Sequence, residues 1–403
     1  MNRAPRSPRA VMLAALLLNL IGFANYAAVL PEIRASTGLS EVQAGIAGGA
    51  FFLAYALGSP VFAGLTDTRD ARRLCLLGAG LGIAGGLLFP LVDGSFAALV
   101  ASRTLTGLGM AGTYMPGLRL LMESLPAEQQ QKAAGDYVST LTLGLSASVA
   151  VSGCLQWVFG WPAAFLGAAA AAALAGLLVR GSMPASRPSP QPSSLFARLL
   201  RVARGKDAWL VLLAAFGNSW EGMAFRTWWV ALLGFAVALP GNEAYGAISL
   251  ALVTAVVGPL AMPISAFVAR RAEAGRRHRV IAGAAASAVL VGALLAAALA
   301  APWPVVFLLS VAYACAIFSD AGALTPAMLV RVPVTERGAA LALVSAASNL
   351  AAFTSTIMFG LILHAAGGAG SMNAWRLAIL AITAGSVLTA GTMLLLDRRM
   401  GRP

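Results

Sequence analysis

The sequence predicts an all-α integral membrane protein, with about twelve transmembrane helices in two pseudo-symmetric bundles of six. Three observations predict it. The 403 residues are 59% hydrophobic and only 11% charged, with a mean hydropathy of +0.81, whereas a water-soluble body carries roughly a quarter of its residues charged. Apolar runs long enough to cross a ~30 Å hydrocarbon core recur about twelve times. The basic residues gather in short clusters between those runs, where positive charge marks cytoplasmic loops.

Arg3, Arg6 and Arg9 precede the first apolar run, residues 11–30. A cleaved signal peptide has a shorter apolar stretch and a small-residue cleavage site, so this run reads as the first span. Spans are expected near 10–31, 43–64, 74–92, 96–118, 134–157, 162–180, 208–236, 244–269, 280–301, 304–326, 338–363 and 375–396. Tight turns are expected around Asp93 and around 301–304. With the N-terminus inside, 24 of the 28 basic residues fall in inner segments. Only Arg34 and Arg376 face outward, while Arg103 and Arg226 sit within helices. One misplaced span would invert every later loop, so both termini are expected in the cytoplasm of a cell with this protein in its inner membrane.

Residues 181–207 are rich in Pro and Ser and read as a cytoplasmic linker. It separates an N-terminal bundle, 1–180, from a C-terminal bundle, 208–403. Residues 196–204 are expected to form a basic amphipathic helix on the inner leaflet. The halves repeat: Pro126-Ala127-Glu128 after the fourth span is similar to Pro333-Val334-Thr335-Glu336 after the tenth, and Trp161 opens the sixth span as Trp375 opens the twelfth. A six-plus-six repeat with a polar linker is the plan of a rocking secondary transporter.

Between spans two and three stands Gly64-Leu65-Thr66-Asp67-Thr68-Arg69-Asp70-Ala71-Arg72-Arg73. It resembles the Gly-x-x-x-Asp-Arg-x-Gly-Arg-Arg signature of the major facilitator superfamily, with one extra residue and with Asp70 and Ala71 in place of the glycine. Span four carries Arg103-Thr104-Leu105-Thr106-Gly107-Leu108-Gly109, similar to that family's Arg-x-x-x-Gly-x-Gly element. The resemblance covers the whole chain and implies solute transport by alternating access through a central cavity, by a monomer without cofactor. Asp67, Arg69, Asp70, Arg72 and Arg73 are then expected to form a charged gating latch. The matching loop, 269–277, keeps the arginines but lacks the aspartate, so the latch is expected to be asymmetric. Span five has small residues but no proline, which departs from the family's antiporter signature.

Charges inside membrane helices are costly and mark function by default. Arg103 is one. Glu221 and Arg226 in span seven are two more; five residues apart, they point about 140° away from each other and cannot pair along one helical face. Each needs a partner elsewhere, or the helix must unwind at Gly222. Asn218, Glu221, Phe225 and Trp228 share a face that offers a carboxylate, an amide and two aromatic walls for a solute. Asp320 in span ten is a proton-site candidate beside Glu221. Asn25, Tyr26 and Tyr313 supply hydrogen bonds without charge and serve either the solute or helix packing.

The net charge of +13 is explained by topology, so no nucleic-acid partner is expected. Cys75, Cys154 and Cys315 have no metal-ligand spacing. His278 and His364 lie in different loops, no Walker loop is present, and the Gly80-Leu81-Gly82-Ile83-Ala84-Gly85 run lies within a span, where it serves packing. The expected function is secondary active transport of a small organic solute, anionic or zwitterionic, driven by protons across the lipid bilayer. Multidrug or metabolite efflux by proton antiport is the alternative. A non-transporting membrane sensor or lipid-modifying enzyme would call for a dedicated extramembrane domain, which these residues do not offer.

Overall fold

The computed structural model describes residues 7–92, 94–186, 195–205, 207–333 and 336–400. Arg3, Arg6, Arg187, Lys206 and Arg402, the turn at Asp93, the stretch 187–194 and the Val334-Thr335 part of the repeated motif lie outside the described residues. The helices are α1 (Pro8–Thr37), α2 (Glu41–Leu65), α3 (Ala71–Leu91), α4 (Phe96–Glu123), α5 (Ala127–Phe159), α6 (Trp161–Ser182) and the short α7 (Leu195–Ala203). They continue with α8 (Ala208–Val237), α9 (Leu250–Thr254), α10 (Val257–Arg271), α11 (Arg277–Ala297), α12 (Trp303–Phe318), α13 (Ala321–Leu329), α14 (Arg337–Ala365) and α15 (Met372–Met400).

Ten helical stretches among the described residues are long and apolar enough to cross a membrane, with α9–α10 and α12–α13 each counting as one. α4 and α8, of 28 and 30 residues, are as long and carry charge in their interiors. The protein is a multi-pass membrane protein. Leu91, Trp157, Phe159 and Leu177 stand at least 66% exposed, as side chains facing lipid tails do.

The chain forms two compact units, one of Met1–Thr37 with Ala50–Ser194 and one of Gly38–Gly49 with Leu195–Pro403. Their internal packing follows one scheme. In the first, α1 packs on α5 and α6, and α3 on α4 and α6. In the second, α8 packs on α14 and α15, and α11 on α12 and α15. The two units thus share one packing scheme of corresponding helices, although Gly38–Gly49 at the start of α2 groups with the second unit. Lipid offers no hydrophobic drive between helices, so close backbone approach must hold them. A Cβ on Gly78 of α3 would lie 2.6 Å from the carbonyl carbon of Gly112 on α4. Gly45 of α2 does the same in the second unit, where a Cβ would meet the Thr356 carbonyl of α14 at 2.8 Å. Between α5 and α6 the chain turns through Gly160 at φ 80, a region that L side chains rarely adopt.

Four expectations are corrected. The eighth span begins at residue 250 rather than 244, because Glu243–Tyr245 form a separate 3-10 turn. Asn242 fixes that turn: its amide donates to Ala236 O at 2.8 Å and its Oδ1 accepts from Trp303 N at 2.9 Å. The tenth span is not one helix but breaks between Phe318 and Ala321. There the Ser319 hydroxyl donates back to Ala316 O at 2.7 Å, a local bond that competes with the helix. The basic stretch near 270–279 is no open loop, since a π-helical turn at Ala272–Arg276 joins α10 to α11. Finally, α7 does not offer its whole apolar side to lipid. Val202 is 2% exposed within the second unit's core beside Leu210, Met328 and Met393, with Leu199 packed against it.

Candidate functional site

In the first unit, Arg103 projects from α4 into the bundle and is 3% exposed. Its Nη1 donates to Asn25 Oδ1 at 2.9 Å and to Gly22 O at 3.2 Å, and its Nη2 to Phe23 O at 3.2 Å. The guanidinium also lies over the rings of Phe51 at 4.7 Å and Tyr26 at 5.4 Å. Arg103 does not snorkel to an interface. Dipoles and aromatic faces of α1 and α2 hold it, and its Nε is buried with no partner. A cavity beside it, lined by Asn19, Asn25, Thr106 and Thr113 together with Gly22 and Gly109, has room for about a water molecule (≈ 20 Å³).

In the second unit α8 runs unbroken through Gly222, so the unwound alternative does not hold and Glu221 and Arg226 find separate neighbours. Glu221 is fully buried; its Oε1 accepts the Tyr313 hydroxyl of α12 at 2.6 Å and its Oε2 has no hydrogen-bond partner. Arg226 lies over the Phe318 ring at 4.6 Å with its Nε unpartnered. Asp320, 2% exposed, sits at the α12–α13 break and accepts from the Asn218 amide at 2.7 Å. The same Nδ2 donates to Ile317 O at 2.9 Å. One amide therefore satisfies a carbonyl that the break has freed and neutralises part of the carboxylate's demand.

The four residues expected on one face of α8 go to three places. Asn218 meets Asp320, and Glu221 meets Tyr313. Phe225 packs edge-on to Tyr313 at 4.8 Å and stacks on Trp229 at 5.2 Å. Trp228, 1% exposed, stacks on Phe359 and donates its indole N–H to Thr356 O at 3.2 Å. It sits in helix packing rather than as an open wall.

The expected latch residues have specific partners in the first unit. Asp67 Oδ1 pairs with Arg119 Nη1 of α4 at 3.1 Å, and Arg119 Nε pairs with Glu123 at 2.7 Å. Asp70 caps α3, accepting from Arg72 N and from Ser186 N at 2.9 Å each. Arg73 stands 3.9 Å from Asp70, and Arg72 donates to the Arg180 carbonyl. Arg69 follows in the turn after α2.

Residues 12–330 match the family model described as Major Facilitator Superfamily. The chain belongs to that superfamily. A chloramphenicol resistance protein of Streptomyces lividans is 30% identical over 161 residues, 40% of this chain and 41% of that protein. The sialic acid transporter NanX of Escherichia coli (strain K12) is 26% identical over 207 residues, 48% and 49% of the two chains. The chain thus matches less than half the length of these curated relatives. A crystal structure of a bacterial homolog to the human lysosomal transporter Spinster superposes with a TM-score of 0.80 at 17% identity, over 98% of each chain. At that identity the likeness speaks for the major facilitator fold alone.

Several contributors escaped sequence reasoning. Arg119 and Glu123 carry a sequence signal that went unused, their four-residue spacing at the end of α4 being a pairing signal. Phe318 and Trp229 gave none, since an aromatic in an apolar run is indistinguishable from core.

Proposed function

We propose that this major facilitator protein moves a small organic solute across the membrane by alternating access, coupled to protons. The observation that carries the reading is the pair of buried carboxylates, Glu221 and Asp320, each held by a neutral donor and neither in an ion pair among the described residues. An ionised carboxylate is strongly disfavoured in hydrocarbon, so a site without a fixed cation suits a group that gains and loses a proton. In this reading Arg103 and Arg226 serve the solute, and Asn25, Tyr26, Tyr313, Asn218, Phe225 and Trp228 frame the two charged centres. Asp67, Arg69, Asp70, Arg72 and Arg73 act as the gating loop. The working protein is a monomer in the inner membrane, with bundles 1–180 and 208–403, an inner linker 181–207 and both termini cytoplasmic. Two intramembrane arginines and a relative named as a sialic acid transporter favour an anionic or zwitterionic solute. A relative named for chloramphenicol resistance supports the second reading, efflux by proton antiport.

The test is solute-dependent proton movement in proteoliposomes carrying a lumenal pH dye. Protons that follow an added organic acid support uptake or exchange of acids. A response to chloramphenicol alone favours the efflux reading. Solute counterflow with no proton movement removes the coupling.

A further inference from the structure

Two donors on one face of α8 lack acceptors. The Arg226 Nε and the Trp229 indole Nε1 are both buried with no hydrogen-bond partner. They stand three residues apart, which makes their side chains neighbours on the helix surface. Buried donors in folded proteins are nearly all paired, and an unpaired one calls for an explanation such as a ligand. Two orphans side by side point to one missing group with two acceptor atoms.

The surroundings specify that group. Trp229 is 6% exposed, and its ring is held by stacking on Phe225, itself locked against Tyr313. Its N–H therefore has a fixed position. Arg226 is only partly buried and rests on the face of Phe318, the last residue of α12, with no ion pair among the described residues. Glu221, the acid on the same helix, is turned away and engaged by Tyr313. The guanidinium is thus a charge held in place by an aromatic ring and not spent on a protein anion. A planar fork of N–H groups beside a single neutral N–H matches the two oxygens of a carboxylate. One positive charge balances one negative charge. A phosphate dianion would bring a second negative charge that this single guanidinium leaves unbalanced.

We infer that Arg226 and Trp229 form the carboxylate subsite of the solute path, with Phe318 as its platform and a monocarboxylate as its ligand. The inference rests on the transport reading above and names the part of the solute that this bundle holds. The guanidinium supplies charge and one or two hydrogen bonds, and the indole supplies one more. Trp229→Phe removes the N–H, together with part of the ring system, and keeps an aromatic ring to stack on Phe225. Arg226→Gln removes the charge, and Arg226→Lys keeps the charge but not the fork.

The experiment uses the purified full chain, with acetate and benzoate as probes and benzamide as the uncharged isostere of benzoate. Ligand binding is read as a concentration-dependent rise in thermal stability. Wild type is expected to respond to the carboxylates and not to benzamide. Trp229→Phe should weaken carboxylate binding roughly three- to tenfold, the range for one lost hydrogen bond, and Arg226→Gln by at least about tenfold, with Arg226→Lys between. Should Arg226→Gln fail to fold, Trp229→Phe alone carries the test. No response of wild type to either carboxylate, an equal response to benzamide, or undiminished binding by Trp229→Phe and Arg226→Gln would each overturn the subsite. Binding needs no gradient. Carboxylate binding that depends on Arg226 without any proton movement would therefore sink the coupling and leave the subsite standing, and proton-coupled flux with Arg226-independent binding would do the reverse.

Discussion

Asn218 on α8 and Asp320 at the α12–α13 break are joined by a 2.7 Å hydrogen bond, and the same Asn218 amide nitrogen also reaches the Ile317 carbonyl. Both N–H groups of that amide are therefore committed, one to a carboxylate and one to a backbone oxygen without its helical partner. The break exposes polar backbone inside a membrane bundle, which is tolerated only where protein or a cavity satisfies it. Asn218 makes that tolerance available and at the same time fixes where the carboxylate points.

Asn218→Ala should accordingly destabilise the second unit by about 2 kcal/mol, the cost of leaving buried acceptors unsatisfied. A lower unfolding temperature of the purified variant, reversed in part by Asp320→Asn in the same chain, would show that the carboxylate is the demanding acceptor. Equal stability of Asn218→Ala and wild type would mean that the break is satisfied by other groups.

Glu221→Gln and Asp320→Asn separate the two carboxylates. Each substitution keeps an oxygen for the Tyr313 hydroxyl or the Asn218 amide and removes titration. If Glu221 carries the proton, Glu221→Gln retains solute-for-solute counterflow in proteoliposomes and loses accumulation driven by a pH gradient. If Asp320 does so, that pattern belongs to Asp320→Asn. Wild-type behaviour of both variants in both assays would make the carboxylates structural.

The spans were legible because their signals are collective: about twenty apolar residues and a loop charge bias survive any single misjudged position. The break at Ser319-Asp320 was not, since Phe318 and Ala321 flank it with the same apolar character on both sides. It is decided by local side-chain bonds of Ser319 and Asn218 that no periodicity records. The buried charges were found readily, as any charge in such runs stands out, yet their partners were not. Arg103 turns out to be held by Gly22, Phe23 and Asn25, two of them through backbone oxygens that every residue carries. Trp228 and Trp229 are adjacent, and only packing against Phe359 or Phe225 tells which one leaves its N–H unpaired.

Close packing of α3 on α4 gives a test of the fold itself. Gly78→Ala places a methyl 2.6 Å from the Gly112 carbonyl carbon, whereas nothing lies within 4 Å of a Cβ at Gly80. The helix-propensity gain of about 0.8–1 kcal/mol from glycine to alanine is available at both positions. Gly80→Ala should match or exceed wild-type thermal stability, and Gly78→Ala should fall below it because α3 and α4 must separate. Similar behaviour of the two variants would show that this contact is slack.

At the turn between α2 and α3, the Asp67–Arg119 pair has side chains 22% and 19% exposed. A double-mutant cycle with Asp67→Asn and Arg119→Gln should return a coupling of about 1 kcal/mol in stability, as for a partly screened ion pair. A latch role adds a further expectation. Paired spin labels on the side of the α2–α3 turn, the proposed cytoplasmic side, should show shifted populations in Asp67→Asn, with slowed transport at normal expression. Unchanged distances and transport would leave the loop with a topological part only.

Arg103 offers the sharpest separation of structure from function. A buried cation without an acid among the described residues is expensive in a membrane, about 2.5–3.5 kcal/mol even on insertion scales. Its acceptors are neutral: Gly22 and Phe23 lie in the interior of α1, and Asn25 Oδ1 also accepts from Tyr26 N at 2.8 Å. Replacing Arg103 by methionine fills similar volume and strands no acidic group, a change of the kind that leaves stability level or improves it. If Arg103 serves the solute as proposed, Arg103→Met should unfold within about 1 kcal/mol of wild type while solute counterflow is lost. Arg103→Lys, which keeps the charge without the planar fork, should restore part of the counterflow. Strong destabilisation of Arg103→Met, or counterflow at the wild-type rate, would instead make Arg103 a packing element of α1 and α4.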